Sequence, residues 1–152
     1  MDSSGSNPTI IIPYGVEPSW SPDGDQIIYL NWDTTKVRKN QEQIYIADAD
    51  GSDPQKITDL KNTYFNIHDP SFSLGSTKIA FTYGGELHTM QLSESSVNQL
   101  TEGSGYVVRP EWSPDGQTIL FSRIIQNVSK RLYYLDVATR EITPVFPKDP
   151  NP

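Results

Sequence analysis

The sequence predicts an all-β fold assembled from a repeated four-stranded unit, and three observations carry that expectation. Residues 18–29, PSWSPDGDQIIY, return almost unchanged as PEWSPDGQTILF at 110–121, and in a fainter copy as PSFSLGSTKIAF at 70–81. The 152 residues include twelve prolines, ten glycines and eight tyrosines but few helix-forming runs, which suits short strands joined by tight turns. In every copy the apolar side chains alternate with period two, as a strand packed on a core requires.

Each unit opens on the same strand. Trp20, Phe72 and Trp112 stand two residues after Pro18, Pro70 and Pro110, and each is followed by serine. Further on come Ile27, Ile79 and Ile119, then Tyr29, Phe81 and Phe121, the alternating positions of a second strand that closes a hairpin with the first. The hairpin turn is SPDG in copies one and three. Proline fixes φ at the first corner, aspartate bonds the backbone, and glycine takes the positive φ that closes the turn. Asp23 and Asp115 therefore read as turn residues rather than catalysts. Copy two has SLGS, where Gly75 is expected to make a different turn.

Third strands follow at 43–48 (QIYIAD), 86–91 (ELHTMQ) and 131–136 (RLYYLD), and weaker fourth strands at 55–58 (QKIT), 98–101 (NQLT) and 140–143 (REIT). Four strands per tandem unit are the pattern of propeller blades, whereas a sandwich would carry no such repetition. DSSGSNPTIII at 2–12 aligns with DADGSDPQKIT at 48–58, so residues 2–12 are expected to be the outer strand of a preceding or partner blade. The chain then divides into blades over 13–58, 59–101 and 102–146 and a tail over 147–152, all one propeller segment spanning 1–152.

The P-x-W-S-P-D-G-x-x-I-x-[YF] stretch, with its DADGSDPQKIT ending, resembles the WD-like repeat of the TolB propeller family over about residues 5–146. Related repeats occur in the propellers of prolyl oligopeptidase and dipeptidyl peptidase relatives and of the tricorn protease. The resemblance implies a six-bladed ring, a periplasmic or otherwise exported location, and protein partners that include a peptidoglycan-associated lipoprotein. Three blades make half of such a ring, and the small α/β domain that precedes the propeller in that family has no counterpart in these residues. An open arc leaves two apolar blade faces uncovered, so a homodimer closing six blades about a twofold axis is expected. Two other readings stand beside a binding module: a fragment of the gating propeller of a serine peptidase, and a purely structural self-assembling module.

Composition narrows the chemistry. A formal charge of −7 leaves no broad basic field for nucleic acid or an anionic membrane. The run Ile10 to Ile12, bounded by Pro8 and Pro13, is too short to insert in a membrane. There is no cysteine, no G-x-S-x-G elbow, and only two histidines, so neither a catalytic set, a metal site nor a cofactor is expected. His88 occupies the place of Tyr45 and Tyr133 and reads as a packing residue; His68 reads as a surface residue. DADGSD at 48–53 imitates the start of a calcium loop but has Asp59 where the loop needs its final glutamate, and it reads as a turn.

The connections from second to third strands and from each fourth strand to the next blade vary in length and emerge on one face. They gather Trp32, Lys36, Arg38, Lys39, Tyr64, Phe65, His68, Tyr106, Arg109 and Arg123, rich in the aromatic and arginine types that dominate interfaces. Glu17, Asp69 and Arg109, each preceding the proline of an innermost strand, are expected to ring the mouth of a central channel.

Overall fold

Tight turns and period-two alternation produce strands in simple up-and-down order. The computed structural model describes residues 9–32, 42–61, 66–103, 105–125 and 129–146. They form three antiparallel four-stranded sheets. Sheet 1 contains β1 (Val16–Trp20), β2 (Gln26–Trp32), β3 (Glu42–Asp48) and β4 (Gln55–Lys56). Sheet 2 contains β5 (Ile67–Phe72), β6 (Lys78–Tyr83), β7 (Glu86–Gln91) and β8 (Ser96–Gln99). Sheet 3 contains β9 (Tyr106–Trp112), β10 (Thr118–Ile125), β11 (Ser129–Asp136) and β12 (Ile142–Pro144). Each runs in chain order across the sheet, consistent with propeller blades.

The first hairpin turn is the same in all three sheets. Gly24, Ser76 and Gly116 each donate a backbone N–H to the serine carbonyl three residues earlier, at 2.9 Å. The different turn expected for copy two does not form. Ser76 itself takes the left-handed position, with φ of 51°, and Gly75 fills the aspartate place. In copies one and three the serine hydroxyl donates to Asp23 at 2.5 Å and to Asp115 at 2.6 Å, and these bonds hold both carboxyls below the usual aspartate range.

The alternation gives each sheet two apolar faces with different neighbours. Ile28, Leu30, Ile44 and Ile46 on the forward face of sheet 1 pack against Ile79, Phe81 and Met90 on the backward face of sheet 2. Ala80 and Leu87 on the forward face of sheet 2 pack against Ile119, Phe121 and Leu135 of sheet 3. Sheet 2 therefore lies between the other two. A ring pair recurs on each backward face: Tyr29 with Tyr45, Phe81 with His88, and Phe121 with Tyr133, at 5.8, 5.7 and 5.7 Å. His88 is a buried packing residue, and burial pushes its pKa down.

The two outermost faces are unlike. Leu132 and Tyr134 on the forward face of sheet 3 are exposed, while Ile27, Tyr29 and Ala47 on the backward face of sheet 1 are buried, with Ile12 packed against them. The segment expected to be an outer strand over 2–12 has no strand in its described part, 9–12, where Ile12 packs against sheet 1. Two glycines permit this close approach. A Cβ on Gly15 would come within 2.9 Å of Ile12 Cγ2, and one on Gly51 within 2.5 Å of the Ile11 carbonyl oxygen. Among the described residues, only sheet 3 leaves an apolar blade-like face open.

The fourth strand of sheet 3 corrects the REIT alignment. Tyr133 pairs with Pro144, whereas the equivalent Tyr45 and His88 pair with Lys56 and Gln99. The strand is displaced by three residues from the position that matching the isoleucine–threonine pair predicts. The preceding turn decides this: Ser95 and Arg140 both have positive φ and donate to the carbonyls of Gln91 and Asp136, so the loops match and the similar dipeptides Leu100-Thr101 and Ile142-Thr143 do not. Buried Thr58 and Thr101 accept hydrogen bonds from the backbone N–H groups of Ile44 and Leu87, whereas the register brings exposed Phe146 to the corresponding place in sheet 3.

A left-handed backbone costs a non-glycine residue about 1 kcal/mol. Ser76→Gly is expected to raise unfolding stability by about that amount in a urea titration, with an unchanged denaturant slope.

Candidate functional site

The innermost strands β1, β5 and β9 share an irregularity at the residue before proline. Glu17, Asp69 and Arg109 have φ of 50°, 53° and 53°, and each lies where strand pairing breaks register. Such bulges turn a side chain out of its ladder. Here they turn it toward the next sheet. The Asp69 backbone N–H donates to Glu17 Oε2 at 2.6 Å, and the Arg109 backbone N–H donates to Asp69 Oδ2 at 2.8 Å. Each carboxylate thus ties one sheet to the same position of its successor. His68 adds a contact of 3.0 Å between its Nδ1 and Glu17 Oε1.

Two residues further along, a second link runs between the same strands: the Ser71 hydroxyl donates to the Pro110 carbonyl at 2.8 Å. On sheet 3 both positions reverse their hydrogen-bonding character. Arg109 offers only donors where Glu17 and Asp69 offer acceptors, and Glu111, when ionised, offers only acceptors where Ser71 offers a donor. All these residues line a cavity of about 300 Å³ between the three inner strands. Desolvation, with the Asp69 charge second, pushes the Glu111 carboxyl above the usual glutamate range.

A larger cavity of about 590 Å³ opens beside this one, lined by Glu17, Asn66, His68, Asp69, Gly85 and Tyr106 among others. The Gly84–Gly85 turn between β6 and β7 is its structural hinge point. Gly85 accepts the Val107 N–H at 2.8 Å, and a Cβ at Gly85 would come within 2.8 Å of the Tyr106 ring. Tyr106 therefore lies against bare backbone and remains exposed. The cavity offers an aromatic face, an imidazole and two carboxylates.

The sequence candidates divide accordingly. His68, Tyr106 and the Glu17, Asp69 and Arg109 set are brought together around the two cavities. Trp32 is half-exposed at the end of β2 and lines neither. Arg123 is largely buried: it faces Glu86 at 3.7 Å and lies 5.9 Å from the centre of the Phe121 ring, which gives it a packing role. Lys36, Arg38, Lys39, Tyr64 and Phe65 lie outside the described residues. Glu111 was not among the candidates, although the aligned column of Ser19, Ser71 and Glu111 carries its signal. Among the described residues, no group of three or more His, Asp and Glu could hold a metal ion, and no helix is long and apolar enough to cross a membrane.

Four-stranded meanders packed face on face, with their first strands around a common cavity, are the architecture of propeller-type repeat proteins. The chain belongs to the TolB beta propeller domain family, PD40, whose model matches residues 1–149. It is 32% identical over 130 residues to the Tol-Pal system protein TolB of Bordetella pertussis, covering 80% of this chain and 28% of that relative. The crystal structure of TolB from Acinetobacter baumannii aligns with a TM-score of 0.76 at 26% identity, covering 95% of this chain and 36% of that one. A prolyl endopeptidase structure shares the fold at 16% identity, with a TM-score of 0.63 over 87% of this chain and 22% of its own. The chain thus spans less than a third of the length of its TolB relative from Bordetella.

Because the folded-state pKa of Glu111 is raised, its contribution favours folding below the ordinary value of 4.5 and is lost as pH rises through the folded value. Glu111→Gln is expected to melt higher than wild type at pH 7, with the difference vanishing below that ordinary value; thermal melts across pH measure it.

Proposed function

We propose that this chain is a non-catalytic TolB-like propeller module that binds a protein or peptide across its loop face. The observation that carries this reading is the cavity formed by Tyr106, His68 and the Gly84–Gly85 turn, open beside the inner-strand carboxylates. An exposed aromatic on a rigid backbone platform is the kind of anchor that dominates protein interfaces. This reading also assigns Trp32 and Arg109 to that face, together with Lys36, Arg38, Lys39, Tyr64 and Phe65, which lie outside the described residues. An exported, periplasmic setting accompanies this reading through the family resemblance.

We further propose that the three sheets are three consecutive blades, half of a six-bladed ring completed by a second copy. The open forward face of sheet 3 supports it, as does the fit of the forward faces of sheets 1 and 2 to the backward faces of sheets 2 and 3. In that ring Arg109 meets Glu17 of the second copy, an opposite charge. Closure requires residues 9–15 to leave the face that Ile12 now covers. The fold likeness to a prolyl endopeptidase favours one alternative, a gating propeller that restricts access to a peptidase.

Two measurements test these readings. Calorimetric titration with the soluble domain of a peptidoglycan-associated lipoprotein is expected to show binding, and Tyr106→Ala to weaken it by about 2 kcal/mol without altering the fold. Equal affinity in the variant would remove the loop-face site. Light scattering over a dilution series is expected to give twice the 17.1 kDa chain mass, and a stable monomer would exclude the two-chain ring.

A further inference from the structure

On the far side of the junction between sheets 2 and 3 lies a third cavity, of about 310 Å³, unrelated to the loop face. Its residues come from the start of β6, the ends of β7 and β8, the end of β9 and the turn before β12. Met90, Leu100 and Val137 supply an apolar lining. Around them stand the amides of Gln91 and Asn98, the cations Lys78 and Arg140, and Glu94.

Three properties distinguish this cleft. Lys78 and Arg140 form no ion pair with any described residue, although the protein carries a net charge of −7 and acids are plentiful. Trp112 lines the cavity, and its indole N–H is buried with no hydrogen-bond acceptor among the described residues, an arrangement that costs about 1–3 kcal/mol. Arg140 is held in the left-handed region, at φ of 62°, by a turn in which its own N–H is bonded to Asp136. Two cations with no ion-pair partner among the described residues and two amides, set beside aliphatic groups, are complementary to an alkyl chain that ends in an anionic oxygen.

We propose that this cleft binds a carboxylate carried on a short aliphatic chain, either a free dicarboxylate or the glutamate side chain of a partner. The methylenes lie on Met90, Leu100 and Val137, and the carboxylate engages Lys78 and Arg140 beside Trp112. Arginine matches the planar carboxylate with paired donors. Glu94 selects charge: its repulsion weighs more heavily on a phosphate dianion, whose charges sit on one group, than on the single carboxylate group that ends an aliphatic chain.

Trp112 reports on its own site. The chain has three tryptophans, and Trp20 and Trp32 are exposed, so a Trp20→Phe, Trp32→Phe background leaves a single indole at the cleft. This protein is titrated with glutarate, with the blocked peptide acetyl-Gly-Glu-Gly-amide, and with inorganic phosphate at constant ionic strength. A saturable change in Trp112 emission is expected. Binding of glutarate alone assigns a small molecule, of peptide alone a partner side chain, and of both a site that reads the carboxylate itself. Adding Lys78→Ala and Arg140→Ala, both at exposed positions, is expected to weaken binding by about tenfold or more. Glu94→Gln is expected to strengthen it and to narrow the preference over phosphate. No saturable response to either carboxylate, equal affinity without the two cations, or tighter binding of phosphate would overturn the proposal. Circular dichroism confirms that each variant is folded, and the Glu94 variant supplies an independent reading if the cation variants are not.

Discussion

The packing of Ile28, Leu30, Ile44 and Ile46 onto Ile79, Phe81 and Met90 sets the spacing at which the other contacts between sheets 1 and 2 are made. Side chains in such an interior interdigitate at near-crystalline density, so the distance between two sheets is fixed by the volumes between them. Sheets 2 and 3 meet in the same way through Ala80, Leu87, Ile119 and Phe121. At that spacing a carboxylate on one inner strand reaches the backbone N–H of the next. Glu17 and Asp69 do so, and the charge-assisted bonds fix how the inner strands align once apolar packing has brought them together.

Hydrophobic packing alone tolerates sliding, because it has little direction. The inner-strand bonds add direction, and they do it with residues that also line the cavities. Glu17 contacts the Asp69 N–H through one oxygen and His68 through the other, so one side chain couples the alignment of sheets 1 and 2 to the position of an imidazole in the larger cavity. A ligand acting on His68 acts on a group already engaged in holding the sheets together. Cavity lining and scaffold are not separate parts here.

Much of this architecture was legible in the chain, because each repeated residue has a mechanical task. Prolines mark the inner strands, alternating apolar residues mark faces, and serine with aspartate marks turns. The residues before the three prolines come together in the structure for the same reason: an equivalent place in each repeat becomes an equivalent place in space. Failures arose where identity stood in for geometry. The isoleucine–threonine pairs misled because loop length, acting through Ser95 and Arg140, sets the outer register. Ser76 misled because the surrounding turn imposes a left-handed backbone on a serine. The cover provided by Ile12 was hidden because a segment resembling an outer strand has no pairing preference that outweighs an available apolar face. Arg123 carries an interface-type side chain, but its burial against Phe121 and beside Glu86 depends on neighbours that no local pattern names.

The forward and backward faces have a consequence for how such chains change over time. Sheets 1 and 2 each present a carboxylate acceptor to the next sheet, and sheets 2 and 3 each present the matching N–H, so copying a unit such as sheet 2 in tandem copies a working junction with it. Lengthening by duplication therefore needs no new interface in the interior of the array, and selection acts first on the two ends. In this chain the two outermost described faces differ from the inner ones: Ile12 lies over one, and on sheet 3 Arg109 and Glu111 exchange the roles of donor and acceptor.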